Sequence, residues 1–397
     1  MLDLHCAHAR FVWNLALEQA NMWRRDKTLR GLHAPNNAAR MRQLTEARAD
    51  NDWLREGSTV VQQGALRDFD RALSNWWGGS HRKPTWRKQG QHDGFVIRDL
   101  TVHRLSRRWG SVFVPKVGPV RFRLTRTWDS ITAATSARVT FRHGQWHVSF
   151  TTPPAPKIEA RTGAVVGIDR GVANSLALSD GRMFHAPSWT AGESARFVAL
   201  QRRQARQKKG SARRERTKKD IGRLYLTLSN RRTDWVEKTT TMLAREHDLI
   251  AVENLNTRGM TKKPAPKPDP GQPGVFLPNR ASAKAKLNRA ILASQWGRVE
   301  TRLTHKLSDG HLVKVNPRDT SRICHECGHP SVENRESQAV FVCKDCGHAA
   351  HADTNAARNI LSRALEPKHV NPRASGARTR QPARKSSRVN HPEPALV

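Results

Sequence analysis

Four cysteines and three carboxylates are the residues whose types and spacing could do chemistry. Cys324-x-x-Cys327 and Cys343-x-x-Cys346 are separated by fifteen residues, and Gly-His follows each pair. Two such thiolate knuckles can close a tetrahedron around one Zn²⁺, and the spacing is that of a structural zinc site. Shortly after the last cysteine, Asp353 opens an Ala-rich helix on which Asn355 and Asn359 lie one turn apart. Alone, Asp353 could be no more than a helix N-terminal carboxylate favoured by the dipole. It needs partners.

Two stand upstream. Ala164-Val-Val-Gly-Ile-Asp169 reads as a buried strand carrying a carboxylate, and Leu249-Ile-Ala-Val-Glu253 as a second strand ending on one. A charge on an otherwise apolar strand is costly unless a cation pairs with it. A strand Asp, a strand-end Glu and a helix-start Asp can converge on one edge of a mixed sheet. There they would hold two divalent cations for in-line displacement at a phosphodiester. Carboxylate oxygens suit Mg²⁺ or Mn²⁺, whereas thiolates suit Zn²⁺. Asp180, beside Gly181, reads as a turn residue without chemistry.

Composition bounds the partner. The chain has 397 residues and a formal charge of +36, which fits two or three domains facing a polyanion, and nucleic acid above all. No run of eighteen apolar residues exists, and Met-Leu-Asp-Leu-His is no signal peptide, so no membrane is implied. The knuckles use four of the five cysteines and leave Cys6, which is metal usage in a reducing compartment.

The elements that must position these residues follow from periodicity. Residues 1–92 read as helical, with Phe11, Val12, Leu15, Leu17, Met22 and Trp23 on the apolar face of a first helix. A second helix runs from Val60 through Leu66, Phe69, Leu73 and Trp76 to Gly78-Gly79. The loop from His81 to Lys88 interleaves cations with Trp86, which suits phosphate contact and stacking as well as a solvated loop with one anchored Trp. Residues 93–157 alternate with period two, as in Val120-Arg-Phe122-Arg, and predict an antiparallel module closing into a small barrel. Its Arg121, Arg123 and Arg126 form a cationic outward face. Pro153-Pro-Ala-Pro156 marks a boundary. Residues 162–316 hold both carboxylate strands, two further strands after Asp169, and a helical hairpin split at Gly210-Ser211. The hairpin carries Arg202, Arg203, Arg206, Lys208, Lys209, Arg213 and Arg214, a density of one sign that reads as a nucleic-acid track. Lys262 to Gly274 reads as a flexible loop or lid. One helix then bears Leu287, Ile291, Leu292, Trp296, Val299 and Leu303, and a strand over His311–Val315 leads to the cysteine segment, 317–348. Residues 349–362 form a last helix, and 363–397 a disordered basic tail.

The runs Gly167-Ile-Asp169-Arg-Gly171-Val, Val252-Glu253-Asn-Leu, Cys324 to Cys346 and His351-Ala-Asp353-Thr-Asn355-Ala-Ala resemble the TnpB (OrfB) proteins of small bacterial insertion sequences, relatives of compact type V CRISPR effectors. The similarity extends from Arg10-Phe-Val-Trp-Asn14 to about Leu361. It implies an α/β multidomain chain: a helical recognition lobe, an antiparallel β wedge barrel, and an RNase H-like (RuvC) nuclease domain with an inserted zinc ribbon. By position, Asp169, Glu253 and Asp353 match the family's metal-binding catalytic triad (two Mg²⁺ or Mn²⁺ ions), and the four cysteines its zinc ligands. The resemblance further implies a cytoplasmic bacterial protein, at the nucleoid when on DNA. Its partners would be a guide RNA from the transposon end and a double-stranded DNA target, cut beside a short adjacent motif. One departure stands out: family members begin with a basic strand of the wedge barrel, whereas this chain starts at the helix after it. A late start codon or a truncation is implied, with one barrel edge unpaired. Competing readings are a nuclease-silent RNA-guided DNA-binding protein, an accessory transposase protein and a structural nucleic-acid binder. The last would have no use for three carboxylates.

Overall fold

The structure, a computed structural model, describes residues 1–25, 36–142, 144–272 and 274–366. It divides into two compact units, Met1–Pro156 with Trp189–Asn230, and Lys157–Ser188 with the chain from Arg231 onward.

In the first unit, helices α1 (Leu2–Arg25), α2 (Asn37–Asp50), α3 (Asp52–Glu56) and α4 (Thr59–Trp77) precede six strands. α1 buries Cys6, Ala9, Val12, Trp13, Ala16 and Leu17 against Val61, Leu66, Phe69 and Leu73 of α4. The small residues at 6, 9 and 16 let the two helices approach closely, which turns the buried stripe of α1 away from the one expected. Phe11, Leu15 and Met22 are consequently exposed. Trp13 meets the edge of Phe69 with ring centroids 5.4 Å apart, and the Arg87 guanidinium lies 3.7 Å over its ring. Arg87 of the basic loop is therefore structural, while Trp86 is exposed.

The strands are β1 (Gly94–Arg98), β2 (Val102–Arg104), β3 (Trp109–Val114), β4 (Gly118–Arg123), β5 (Ser136–Arg142) and β6 (Gln145–Thr151), with a short helix α5 (Trp128–Thr132) between β4 and β5. They pair as two three-stranded antiparallel sheets, β1-β5-β6 and β2-β3-β4, and not as one closed barrel. Phe95, Ile97, Val112, Val114, Ala137 and Val139 from both sheets join the core of α1 and α4. Residues 189–230, read from sequence within the span 162–316, group with this unit. They comprise α6 (Ala191–Arg206), opened by a Thr190–Glu193 capping box, and the first part of α7 (Ala212–Glu246). Trp189, Phe197 and Tyr225 form the hairpin's own aromatic cluster.

The second unit is built on a five-stranded sheet of order β13-β10-β7-β8-β9. β7 (Val165–Asp169), β10 (Leu249–Glu253) and β13 (Leu312–Val315) run parallel, and β8 (Leu176–Leu178) and β9 (Met183–Phe184) extend it antiparallel to β7. Both faces are covered, which explains the near-continuous apolar runs of β7 and β10. Val166, Ile168, Ile250 and Val252 face a core shared with Val236, Leu243 and Ala244 of α7 and with Val299 and Leu303. Ala251 and Val315 pack instead with Ile360 and Ala364 of the last helix, α11 (Ala352–Leu365). α11 therefore includes Arg363, Ala364 and Leu365, which the sequence reading gave to the tail: Ala364 is buried, and Arg363 donates to the carbonyls of Asn316 and Arg318. The rest of that tail, 367–397, lies outside the described residues.

Between β10 and β13 come α8 (Thr257–Met260), a small ladder of β11 (Lys267–Pro268) with β12 (Phe276–Leu277), α9 (Ala281–Ala293) and α10 (Trp296–Lys306). The single helix expected over 287–303 is thus two. Gln295 takes a left-handed φ of 61° between them, so the apolar phase is reset and Leu287 and Leu292 are exposed. The cysteine segment carries the pair β14 (Val340–Val342) and β15 (Ala349–His351). Among the described residues no helix is long and apolar enough to cross a membrane.

The seating of α11 on β7 has one steric condition. A Cβ on Gly167 would collide with the carbonyl oxygen of Ala357 and stand 2.8 Å from the Leu361 amide. Because both obstacles are backbone, Gly167→Ala should destabilise the chain by about 3 kcal/mol, the upper end of overpacking costs. Denaturant unfolding checks this, and a loss below about 1 kcal/mol would show that α11 is free to shift.

Candidate active site

Side chains alternate along a strand, so Val165, Gly167 and Asp169 share the face of β7 toward α11, as Leu249, Ala251 and Glu253 do on β10. Gly167 and Ala251 are register partners in the parallel pair. Two residues beyond them each strand reaches its carboxylate. α11 crosses the same face with Asp353 in its first turn, where the helix dipole favours an anion. The sequence-predicted carboxylates are thus brought together at one end of the sheet.

Each is held differently. The Thr320 hydroxyl donates to Glu253 Oε1 at 2.7 Å, and the buried Arg170 guanidinium donates to the Glu253 backbone carbonyl. Arg170 pairs with Glu300 at 2.7 Å, and Glu300 with Lys314 at 2.5 Å. Asp353 accepts from Asn174 Nδ2 at 2.9 Å and pairs through Oδ1 with Arg335 at 3.3 Å. Asn174 reaches it from the turn after β7, a turn fixed by Trp296 Nε1 donating to the Gly171 carbonyl at 3.2 Å.

The electrostatics follow from crowding. Burial first, then the charges of Glu253 and Asp353, push Asp169 up to about 7, against the opposing pull of the Arg170 amide and Arg335. Burial likewise raises Glu253, while the Thr320 hydroxyl, Arg170 and Arg363 act to lower it. Three carboxylates crowded at one sheet end, two of them pushed up by burial, offer hard oxygen donors, a set that fits divalent cations. Taking one oxygen from each, the three carboxylates do not all lie within 4.8 Å of one another. Among the described residues Cys324, Cys327, Cys343 and Cys346 alone meet that condition.

The thiol Sγ atoms of Cys324 and Cys346 are 3.7 Å apart, and those of Cys327 and Cys343 are 3.5 Å apart. A tetrahedron with Zn–S bonds of about 2.3 Å has edges of about 3.8 Å, so the cage has the size for one such ion. Gly328 and Gly347 turn the knuckles at φ of 78° and 71°, a conformation that only glycine adopts without strain. Asn355 and Asn359 of α11 dock the first knuckle by donating to the carbonyls of Ile323 and Thr320.

The predicted nucleic-acid residues divide. Arg121 and Arg123 are exposed on β4, with Arg121 5.1 Å over the Trp109 ring; Arg126 lies beyond the strand. Arg202, Arg206, Lys208, Lys209 and Arg213 are exposed on the helical hairpin. Arg203, exposed as well, also reaches Thr217 and Asp220 across the hairpin, and Arg214, half-buried, closes the turn on the carbonyls of Gln204 and Gln207. Sequence reasoning missed Thr320, Asn174, Arg170 and Arg335. Arg170 sits beside Asp169 and could have been suspected. Nothing local marks the other three.

A mixed α/β chain with a four-cysteine cluster beside a carboxylate-lined sheet end is the class that these features define. A family model described as "Probable transposase" matches residues 147–263, and one described as "Cas12f1-like, TNB domain" matches 296–360. InsQ of Escherichia coli K12, named as an RNA-guided DNA endonuclease, is 33% identical over 79% of this chain and 76% of its own length. A Streptomyces pristinaespiralis protein with the same description is 29% identical over 90% and 83%. The solved complex of Cas12f1 with sgRNA and target DNA gives a TM-score of 0.48 at 16% identity, covering 92% of this chain and 82% of that one. The chain belongs to the TnpB (OrfB) family of transposon proteins.

Asp169 has a pH signature. Folded, it keeps its proton to about pH 7; unfolded, a carboxyl loses it near pH 4. Stability from this group is therefore full below about pH 4 and lost as pH rises through about 7. Magnesium-free protein should melt lower at pH 8 than at pH 5, and Asp169→Asn should reduce that fall by raising the midpoint at pH 8. Parallel pH profiles for parent and variant would refute the assignment.

Proposed function

We propose that the chain is a transposon-encoded, RNA-guided endonuclease that cuts double-stranded DNA beside a short adjacent motif. The observation that carries this is the convergence of Asp169, Glu253 and Asp353, from three elements, on one partly buried sheet end. The relatives' names supply the guide and the substrate class. The strand order β13-β10-β7-β8-β9, with three parallel strands and two antiparallel ones, supports an RNase H-like (RuvC) reading of the second unit, with 317–348 as the inserted zinc ribbon. In the same reading 1–92 is the recognition lobe and 93–157 the wedge.

When bound, two divalent cations supply Lewis acidity at the phosphodiester. The residues prepare for this. Asp169 gives up its proton near neutral pH to become a ligand. Glu253 is anchored by Thr320 and Arg170, and Asp353 is anchored by Asn174. Arg335 is the ribbon's own cation at Asp353. Zn²⁺ at the four cysteines serves a structural role, with folding energy drawn from the metal. The exposed cations of the α6–α7 hairpin, with Arg121 and Arg123, are the proposed contacts to guide RNA and target DNA, whose binding should weaken with salt.

The experiment is co-expression with the flanking transposon DNA, sequencing of the RNA that co-purifies, and cutting of a target library with randomised flanks. Asp169→Ala, Glu253→Ala and Asp353→Ala should each slow cutting by at least about 100-fold, the scale of losing one transition-state electrostatic contact, with target binding retained. A variant that cuts at the parent rate in Mg²⁺ would remove that residue from the site.

Elemental analysis should find one zinc per chain. Cys343→Ser should lose it and lower the melting temperature, because in so small a module binding energy is folding energy. Zinc-free fresh protein that melts like the zinc-loaded form would overturn the structural role.

A further inference from the structure

Thr320 is 2% exposed and lies between the site and the first zinc knuckle. Its hydroxyl stands 2.7 Å from Glu253 Oε1 and 3.1 Å from the Pro317 carbonyl. One hydroxyl has one proton to donate, and an ionised carboxylate is the stronger acceptor as well as the nearer. Glu253 Oε2 has no hydrogen-bond partner among the described residues, so the carboxylate is held by one oxygen with the other free.

Thr320 is itself fixed by α11. Its backbone carbonyl accepts from Asn359 Nδ2 at 2.8 Å, and the same amide reaches the Ile323 carbonyl at 2.7 Å. One turn earlier, Asn355 donates to the Ile323 carbonyl at 2.8 Å and accepts from the His325 amide at 3.0 Å. The helix that carries Asp353 therefore also sets the hydroxyl that orients Glu253. Arg170 fixes the Glu253 backbone from the other side.

We propose that Thr320 is a positioning residue for Glu253, holding Oε1 so that Oε2 is presented to a divalent cation. This rests on the reading of Glu253 as a cation ligand. A glutamate free to rotate must be ordered when the cation binds; one already held by a buried hydroxyl need not be. The hydroxyl thus acts on affinity without touching the ion.

The test uses purified full-length chain with its zinc retained, and Mn²⁺ as the probe, titrated by electron paramagnetic resonance. Thr320→Val keeps the shape and removes the hydroxyl; Thr320→Ser keeps the hydroxyl. Thr320→Val should weaken Mn²⁺ binding by about tenfold or more, the usual cost of losing an outer partner of a metal ligand. Thr320→Ser should bind within about twofold of the parent, against that tenfold loss. Zinc content and melting temperature of the variants control for folding. Parent-like binding by Thr320→Val, or equal losses in the Val and Ser variants, would overturn the proposal. Glu253→Gln separates the two levels. If it binds Mn²⁺ like the parent, the ligand reading itself fails and the positioning role with it. If it loses the ion while Thr320→Val does not, only the positioning role fails.

Discussion

The contact of α11 with β7 at Gly167 is the constraint on which the second unit depends. Helix backbone meets strand backbone there with no room for a Cβ. This closeness puts the first turn of α11 over the end of β7, and hence Asp353 near Asp169. The helix is made for the approach: Ala357, whose carbonyl meets Gly167, is fully buried, and Ala364 is buried with Ile360 against Ala251 and Val315, so larger side chains at 357 and 364 would lift it from the sheet. The sheet answers with Gly167 and Ala251, paired in register beneath the helix.

That closeness creates the electrostatic problem that defines the site. Burial first, and then the charges of Glu253 and Asp353, raise the affinity of Asp169 for its proton, and burial raises that of Glu253. The protein balances the charge in part. Arg335 reaches Asp353 from the cysteine segment, and Arg170 lies beneath Glu253 with its own charge matched by Glu300, which Lys314 also holds. Arg170 touches the Glu253 backbone and not its carboxylate. It stiffens the strand end while leaving the side chain free for another cation.

The local chemistry of the chain was legible and its long-range hydrogen bonding was not. The knuckle spacing announced the cysteine cluster, and apolar runs ending on Asp169 and Glu253 announced costly charges. α1 misled because periodicity shows that a stripe exists, while its phase depends on the partner. Ala9 and Ala16 read as weak signals, yet against α4 they form the contact and leave Phe11 and Leu15 outside. The break at Gln295 was hidden for a related reason, since a left-handed non-glycine residue has no compositional mark. Arg203 and Arg214 looked like members of a charge run, and only the fold reveals that one also reaches across the hairpin and the other closes its turn. Thr320 is the plainest case. A threonine after Arg-Asp and before Ser carries no signal until β10 and α11 are placed on either side of it.

The two donor sets meet where the cysteine segment abuts α11, and donor type keeps them apart. Soft thiolates lie on the knuckles, and hard carboxylates on the strand ends and α11. The connection between them is mechanical. Asn355 and Asn359 hold the first knuckle to α11, and Thr320, four residues before Cys324, holds Glu253. Arg335, between the cysteine pairs, holds Asp353. A cation seated among the thiolates would thus stiffen the segment that supplies both Thr320 and Arg335. The cysteine cluster is therefore part of the scaffold of the carboxylate site, and its insertion between β13 and α11 follows from that: it must reach Glu253 on one side and Asp353 on the other.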